Sequence, residues 1–138
     1  MSAALAPARS KPRPFRLTAP VPLEADLHQS VADALRYLLP GEAVVNSWDL
    51  ANAKSAVEGA RKKRRGCLAG WPDLGVFYRS KVVLLELKRS RYGVISKAQL
   101  ALHHRLEEAG FPVTVCCSVD DVLATVSRAG IPLRGRMT

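Results

Sequence analysis

The stretch that most constrains the fold runs from Gly70 to Lys88 and reads G-W-P-D-L-G-V-F-Y-R-S-K-V-V-L-L-E-L-K. Its run Val82–Leu85 is too apolar for an exposed strand and too short to cross a membrane, so we expect a buried strand. Glu86 and Lys88 follow this run directly, and residues two apart on a strand point to the same face. Charges at the end of a buried strand cost free energy unless they are paired or used.

The register of a hairpin decides where Asp73 lies relative to Glu86. Leu74–Tyr78 is predicted as a second short strand, with Arg79-Ser80 as the turn. If the two residues that flank this turn pair, Asp73 lies opposite Glu86 with the Cβ atoms ~5 Å apart, close enough to share a cation. A slip of one residue would put the two acids on opposite faces. Because Arg-Ser is not a favoured two-residue turn, this register is a hypothesis.

Length and charge bound the class of protein. The 138 residues are 48% hydrophobic and carry a formal charge of +9, which suits one domain with a hydrophobic core. The clustered positive charge predicts a polyanionic partner, with nucleic acid ahead of an anionic membrane surface. A merely basic soluble protein is the plainer alternative. No run of 18 apolar residues occurs, so we expect no transmembrane helix.

Basic residues cluster in two segments outside the central stretch. Residues 1–20 hold four prolines, four cations and no acid, which predicts a disordered basic arm before a single domain at 21–130 and a short basic tail at 131–138. A predicted helix over Asn52–Arg65 ends in five consecutive cations, more than capping of a helix dipole requires. Such a run suits contacts to phosphates. The predicted nucleic-acid contacts are Arg61, Lys62, Lys63, Arg64, Arg65, Arg89 and Arg91.

Cysteine usage indicates the compartment. The three cysteines form no C-x-x-C pair, and no secretory segment precedes them, so a reducing, cytoplasmic location is expected. The arginine-rich, acid-free start also fits an organellar transit peptide, although its prolines oppose an amphipathic helix.

One acid in the first predicted helix, Leu23–Leu39, faces inward. At ~100° per residue, Glu24 falls in the middle of the apolar stripe, whereas Asp26 and Asp33 fall on the opposite side. We favour a functional carboxylate at Glu24. The alternative is a first-turn acid that complements the helix dipole.

A third predicted helix, Lys97–Ala109, follows the central stretch. Ser96 is a good N-cap, and Gln99 at the third helical position completes a capping box. A catalytic role for Gln99 is the other interpretation. His103 and His104 are adjacent and so point about 100° apart, which excludes an i,i+4 metal pair. We expect both histidines at the surface or facing a partner.

The predicted order of elements is helix, strand, helix, hairpin, helix, strand, helix. The strand–helix–strand run over 82–117 implies a right-handed crossover between parallel strands. An α/β fold with a mixed β-sheet flanked by helices is therefore expected.

These residues together resemble the VRR-NUC domain of the PD-(D/E)XK nuclease superfamily, in its small stand-alone phage or bacterial type. Pro72-Asp73 and Glu86-Leu87-Lys88 are similar to the superfamily signature, and the resemblance covers roughly residues 23–126. Trp71 is larger than the residue expected before Pro-Asp. The further matching pieces are Glu24, Gly66 and Gly70, Ile95-Ser96 with Gln99, Gly110, Val113-Thr114-Val115, and Ser118 with Asp120-Asp121.

The resemblance implies a restriction-endonuclease-like αβββαβ core and a magnesium- or manganese-dependent endonuclease. It implies hydrolysis of phosphodiester bonds in branched DNA such as Holliday junctions, often by a homodimer. Asp73, Glu86 and the Leu87 carbonyl would bind the metal. The implied roles of the other residues are a second metal or metal-bound water for Glu24, orientation or deprotonation of the attacking water for Lys88, and contact with Lys88 or phosphate for Gln99.

Two other functions stay open at this point. One is a non-catalytic nucleic-acid-binding module on a nuclease-like fold, which the presence of all three signature side chains disfavours. The other is a small RNA- or ribosome-associated basic protein, which would explain the charge but not an acid on the apolar stripe of the first helix.

Overall fold

The computed structural model describes residues 24–48, 55–90 and 93–135. Within these ranges the chain follows the predicted order of elements. The predicted arm at 1–20 and Arg91 lie outside the described residues. The elements are α1 (Glu24–Leu38), β1 (Val44–Ser47), α2 (Ala56–Arg64), β2 (Leu74–Tyr78), β3 (Lys81–Leu87), α3 (Lys97–Glu108), β4 (Val113–Cys116) and α4 (Val119–Arg128).

The four strands form one mixed sheet in the order β1-β2-β3-β4. β2 pairs antiparallel with both β1 and β3, whereas β4 runs parallel to β3 after the α3 crossover. The predicted α/β class and the parallel crossover pair are confirmed.

The β2–β3 hairpin has the predicted register. Tyr78 pairs with Lys81 and Leu74 pairs with Leu85, so the ladder, extended by one position, places Asp73 opposite Glu86. The register is therefore the one that lets the two acids share a face.

The turn of this hairpin is strained. Arg79 has φ 42° and Ser80 has φ 65°, so both central residues adopt the left-handed region that a type I′ turn requires. This region costs an ordinary L-residue roughly 1–2 kcal/mol. Packing of the two strands, rather than the chemistry of the turn, therefore holds the register.

Helices cover both faces of the sheet. On one face, α1 and α4 pack against the odd-numbered residues of β3, and Leu85 is fully buried there. The opposite face carries Glu86 beneath α3, whose Gln99 contacts it. A strand covered on both sides is apolar along its length, which explains the run that β3 presents in the sequence. The main core residues are Leu27, Val31, Leu35, Leu39, Leu74, Val76, Val83, Leu85, Leu87, Cys116, Val122, Val126 and Ile131.

Two segments differ from the expectation. α2 has no buried residue in its described length, and its Val57 is 65% exposed. Its polar composition and terminal cations leave too little apolar surface for the helix to pack on the core. At the other end, the packed region continues past the predicted boundary at 130, because Ile131 is buried in the core. No helix in the described ranges is long and apolar enough to cross a bilayer.

Candidate functional site

Asp73 and Glu86 meet on the face of the sheet that α3 covers. Asp73 precedes β2 by one residue, and its carboxylate Oδ2 accepts a hydrogen bond of 2.7 Å from the backbone N–H of Leu87. This bond ties the start of β2 to the end of β3 and fixes the aspartate beside its cross-strand neighbour. The two carboxylates predicted from the sequence are therefore brought together.

Glu86 is the most buried polar group described in the chain, with 1% of its surface exposed. Its Oε1 accepts a hydrogen bond of 2.7 Å from Gln99 Nε2. Lys88 Nζ lies 3.5 Å from the same oxygen and 3.4 Å from Gln99 Oε1. The structure thus gathers Glu86, Lys88 and Gln99 into one connected group.

Gln99 completes the helix cap and also contacts the buried acid. Ser96 Oγ accepts from the Gln99 backbone N–H at 3.1 Å, and Gln99 Oε1 accepts from the Ser96 N–H at 3.0 Å, so the capping box is present. The Nε2 of the same amide reaches Glu86. The cap therefore orients the amide that holds the buried acid.

The environment changes the acidity of Glu86. Burial raises its pKa from 4.5 to about 7, and the negative charge of Asp73 acts in the same direction. Lys88 opposes the shift through its charge and hydrogen bond. Two adjacent carboxylates, one of them buried, make this a place where a cation is favoured.

His103 is a site residue that sequence reasoning missed. The expectation of a surface histidine is wrong for His103, whose side chain is 12% exposed and whose Nε2 lies 3.6 Å from Glu86 Oε2. His104 is exposed as expected and lies 3.2 Å from Glu108. The available signal was helical spacing, because Gln99 and His103 are four residues apart and so share one face of α3.

The contact between His103 and Glu86 is incompletely satisfied. Glu86 Oε2 and His103 Nε2 are the two buried side-chain polar atoms without a hydrogen-bond partner in the described residues. Burial lowers the pKa of His103 below 6.5, and the charge of Lys88 acts in the same direction. The imidazole is therefore favoured in its neutral form.

The donor set suits a hard divalent cation. Carboxylate and carbonyl oxygens, here Asp73, Glu86 and the Leu87 backbone, are the ligands that magnesium and manganese prefer. The orphaned Glu86 Oε2 adds an unsatisfied oxygen in the same place. Among the described residues, no three His, Cys, Asp or Glu side chains group as a metal site. The third acid predicted from the sequence, Glu24, begins α1, and its side chain lies outside the described part of the chain.

The predicted nucleic-acid contacts lie at the surface. Arg61 to Arg64 form the last turn of α2, Arg65 caps it, and four of these five residues are exposed. Lys62 is half-buried and lies 3.6 Å from Glu58 on the same helix. Arg89 is exposed directly after Lys88. Apart from Lys62, these described cations face solvent, where a polyanion can reach them.

The fold is similar to that of a protein of known structure. A solved structure described as a VRR_NUC domain protein superposes on this chain with a TM-score of 0.61 and 20% sequence identity. The match covers 82% of this chain and 90% of that one. The resemblance predicted from the sequence is thus confirmed at the level of the fold. No protein-family model matches the chain, and no curated protein does.

Proposed function

We propose that this chain is a metal-dependent endonuclease that hydrolyses phosphodiester bonds in DNA. The observation that carries the proposal is the register of the hairpin, which sets Asp73 opposite Glu86 with Lys88 and Gln99 gathered at the Glu86 carboxylate. The likeness of the fold to a VRR_NUC domain protein supports it. Burying acids and a lysine beneath a helix costs free energy, and a catalytic role would explain why these residues are there.

Each side chain has a proposed role. Asp73, Glu86 and the Leu87 carbonyl would hold Mg²⁺ or Mn²⁺, with Glu24 as a further acidic ligand. A divalent cation held there lowers the pKa of water and stabilises negative charge on the phosphate. Lys88 orients the attacking water and offsets charge on the phosphate oxygens. Gln99 positions both Glu86 and Lys88, because one amide bonds to both.

The proposed substrate is DNA, and more narrowly branched DNA such as a Holliday junction. The formal charge of +9 and the exposed cations of α2 support binding to a polyanion. The preference for branches and the use of a homodimer come from the resemblance to the VRR-NUC family. Resolution of a junction requires two incisions and hence two active sites, which a homodimer would supply.

A panel of DNA substrates tests this function. The purified chain is incubated with duplex, flap, splayed and four-way DNA of matched length in Mg²⁺, Mn²⁺ or EDTA, and the products are mapped at nucleotide resolution. The proposal expects incision with either metal, none in EDTA, and the fastest incision on a branched substrate. A measurement of solution mass gives the number of active sites per particle. Binding without incision under every metal condition would contradict the proposed enzyme.

A non-catalytic nucleic-acid-binding module is the second candidate, and one observation favours it. Glu86, Lys88 and Gln99 satisfy much of one another's hydrogen bonding without a cation. A buried ion pair of this kind is compatible with a purely structural role, although such pairs rarely stabilise a fold relative to apolar packing. The same panel separates the two candidates, because the module binds equally well in EDTA and leaves the DNA intact.

A further inference from the structure

Trp71 is a large aromatic side chain exposed next to the candidate site. It is 36% exposed and lies two residues before Asp73. Consecutive Cα atoms are ~3.8 Å apart, so the Trp71 and Asp73 Cα atoms lie within roughly 7 Å of each other. Single exposed aromatic side chains are common, so the feature that distinguishes Trp71 is its place beside the acids.

The backbone that carries Trp71 is held firmly against α3. Gly70 has φ +82°, and a Cβ at that position would lie 2.6 Å from the backbone nitrogen of Gln99. Only glycine permits both the conformation and the contact. On the other side of Trp71, Pro72 is fully buried. The tryptophan is therefore presented by a rigid segment that packs on the residue contacting Glu86.

A second tryptophan braces the first. The rings of Trp48 and Trp71 pack edge to face, with centroids 5.5 Å apart and an interplanar angle of 84°. Phe77 packs on Trp48 in the same manner at 6.4 Å. Gly75 makes room for this arrangement, since a Cβ there would lie 2.5 Å from the Trp48 ring. Edge-to-face packing of this kind fixes the plane of an exposed ring.

The aromatic group lies on the same face of the sheet as the acids. The β1–β2 register, extended by one position, places Trp48 opposite Asp73, and the backbone N–H of Trp48 donates to the backbone carbonyl of Asp73 at 2.9 Å. Asp73 therefore has an aromatic neighbour on one side and Glu86 on the other. A nucleic-acid strand that presents a phosphate to the acids would bring a base to the aromatic side.

We propose that Trp71 is a stacking platform for an unpaired nucleobase next to the phosphate that is cut, so that the chain acts where a DNA strand is locally single-stranded. This inference rests on the proposed nuclease function and narrows its substrate. A base inside a duplex has both faces covered by its neighbours, whereas an unpaired base can stack on an aromatic ring. The exposed cations of α2, which precede the Trp71 segment in the chain, complement the phosphates of such a strand.

The test measures binding by the full-length chain in EDTA, where no cleavage interferes. Oligonucleotides of one length are used as a single strand, as a perfect duplex, and as a duplex with a short single-stranded gap. Trp71→Ala is expected to weaken binding to the single strand and the gapped duplex by about 5- to 150-fold, given ~1–3 kcal/mol per stacked base. Binding to the perfect duplex should change by less than about twofold, since electrostatic contacts to the backbone carry it.

Two variants serve as controls. Trp71→Phe keeps an aromatic face and should restore most of the affinity for the single strand. Tyr37→Ala removes another exposed aromatic, 78% exposed on α1, and should leave all affinities unchanged. Equal losses on all three DNAs, or no loss on any, would overturn the platform.

A fluorescence measurement covers the case in which Trp71→Ala does not fold. The chain has two tryptophans, so Trp48→Phe leaves Trp71 as the only indole and keeps an aromatic brace. Its emission should be quenched by the single strand and not by the duplex, and an unchanged emission would overturn the proposal.

Failure of the nuclease proposal gives a different set of results. Stacking on Trp71 without cleavage in any metal would contradict the nuclease function and support the stacking platform. Cleavage with no effect of Trp71→Ala on binding would support the nuclease function and contradict the platform.

Discussion

At the scale of single residues, Glu86 is the group whose position is hardest to explain by packing. It is buried beneath α3, next to a second carboxylate, and its pKa is raised to about 7. Without a cation, the protein therefore retains a proton there at pH values where an exposed glutamate is ionised. This proton links the stability of the fold to pH.

The sign of the linkage gives a prediction for the metal-free protein. Between pH 4.5 and about 7 the folded state binds a proton at Glu86 that the unfolded state has lost, so stability from this group falls as pH rises. The total change is at most about 3 kcal/mol. Glu86→Gln removes this dependence and should be more stable than wild type at pH 8 in EDTA. Urea denaturation from pH 5 to 8 measures both effects.

Two comparisons keep this prediction specific. Burial lowers the pKa of His103, so the stability contributed by this group falls as pH drops below 6.5, opposite to that of Glu86. The quantity to compare is therefore the difference in unfolding free energy between variant and wild type. Asp120→Asn, which removes an exposed carboxylate on α4, should leave the wild-type pH profile between pH 5 and 8 unchanged. A Glu86→Gln profile parallel to wild type would show that this carboxyl titrates normally.

At the scale of elements, the β2–β3 hairpin sets the site. The sequence favours its register only through the chemistry that two facing acids would allow, because β2 and β3 are apolar on both faces and burial alone does not select one pairing. The turn sequence argued against that register, and it proves to adopt the strained conformation rather than shift the pairing. The free energy gained by burying the strands therefore exceeds the conformational cost at Arg79 and Ser80.

The turn offers a test of that balance. Replacing Arg79-Ser80 with Asn-Gly should stabilise the protein by about 1–3 kcal/mol, because these residues adopt positive φ readily. The ion pair of Arg79 with Glu42, at 3.4 Å, is lost, but both side chains are largely exposed and such pairs contribute little. Urea denaturation measures the gain. Arg79→Ala serves as the control and should show no gain in the free energy of unfolding. An Asn-Gly variant no more stable than wild type would show that the turn is not strained.

For α3, the sequence predicts the N-terminal cap but not every contact that the helix makes with the sheet. Ser96 and Gln99 could be identified from the capping pattern, and the link from Gln99 to Glu86 follows once α3 lies over the sheet. The four-residue spacing places His103 on the same face of α3 as Gln99, but its distance from Glu86 depends on how α3 is rotated about its axis. The exposure of α2 likewise depends on there being no apolar surface left for it to cover.

At the scale of the whole molecule, positive charge and the acidic site are carried by separate parts of the fold. The sheet and α3 hold the acids, while α2 carries exposed cations and has no buried residue. Binding and cleavage should therefore be separable by mutation.

Salt dependence tests the role of α2. Arg61→Gln with Arg64→Gln should lower the slope of log affinity against log salt by about 2 for duplex DNA, close to 0.9 per lost phosphate contact. Arg36→Gln with Arg128→Gln makes the same change in net charge on α1 and α4 and should leave the slope nearly unchanged. Identical slopes for the two double variants would show that the α2 cations make no phosphate contact.

Single-turnover cleavage in Mg²⁺ tests the proposal that Asp73 and Glu86 act as a catalytic pair. Asp73→Asn keeps an oxygen that can accept the Leu87 N–H, and Asp120→Asn is a matched change at an exposed acid on α4. We expect Asp73→Asn to cut at least about 100-fold more slowly than wild type, while DNA affinity in EDTA and the Asp120→Asn cleavage rate stay the same. Cleavage by Asp73→Asn at the wild-type rate would show that Asp73 takes no part in catalysis.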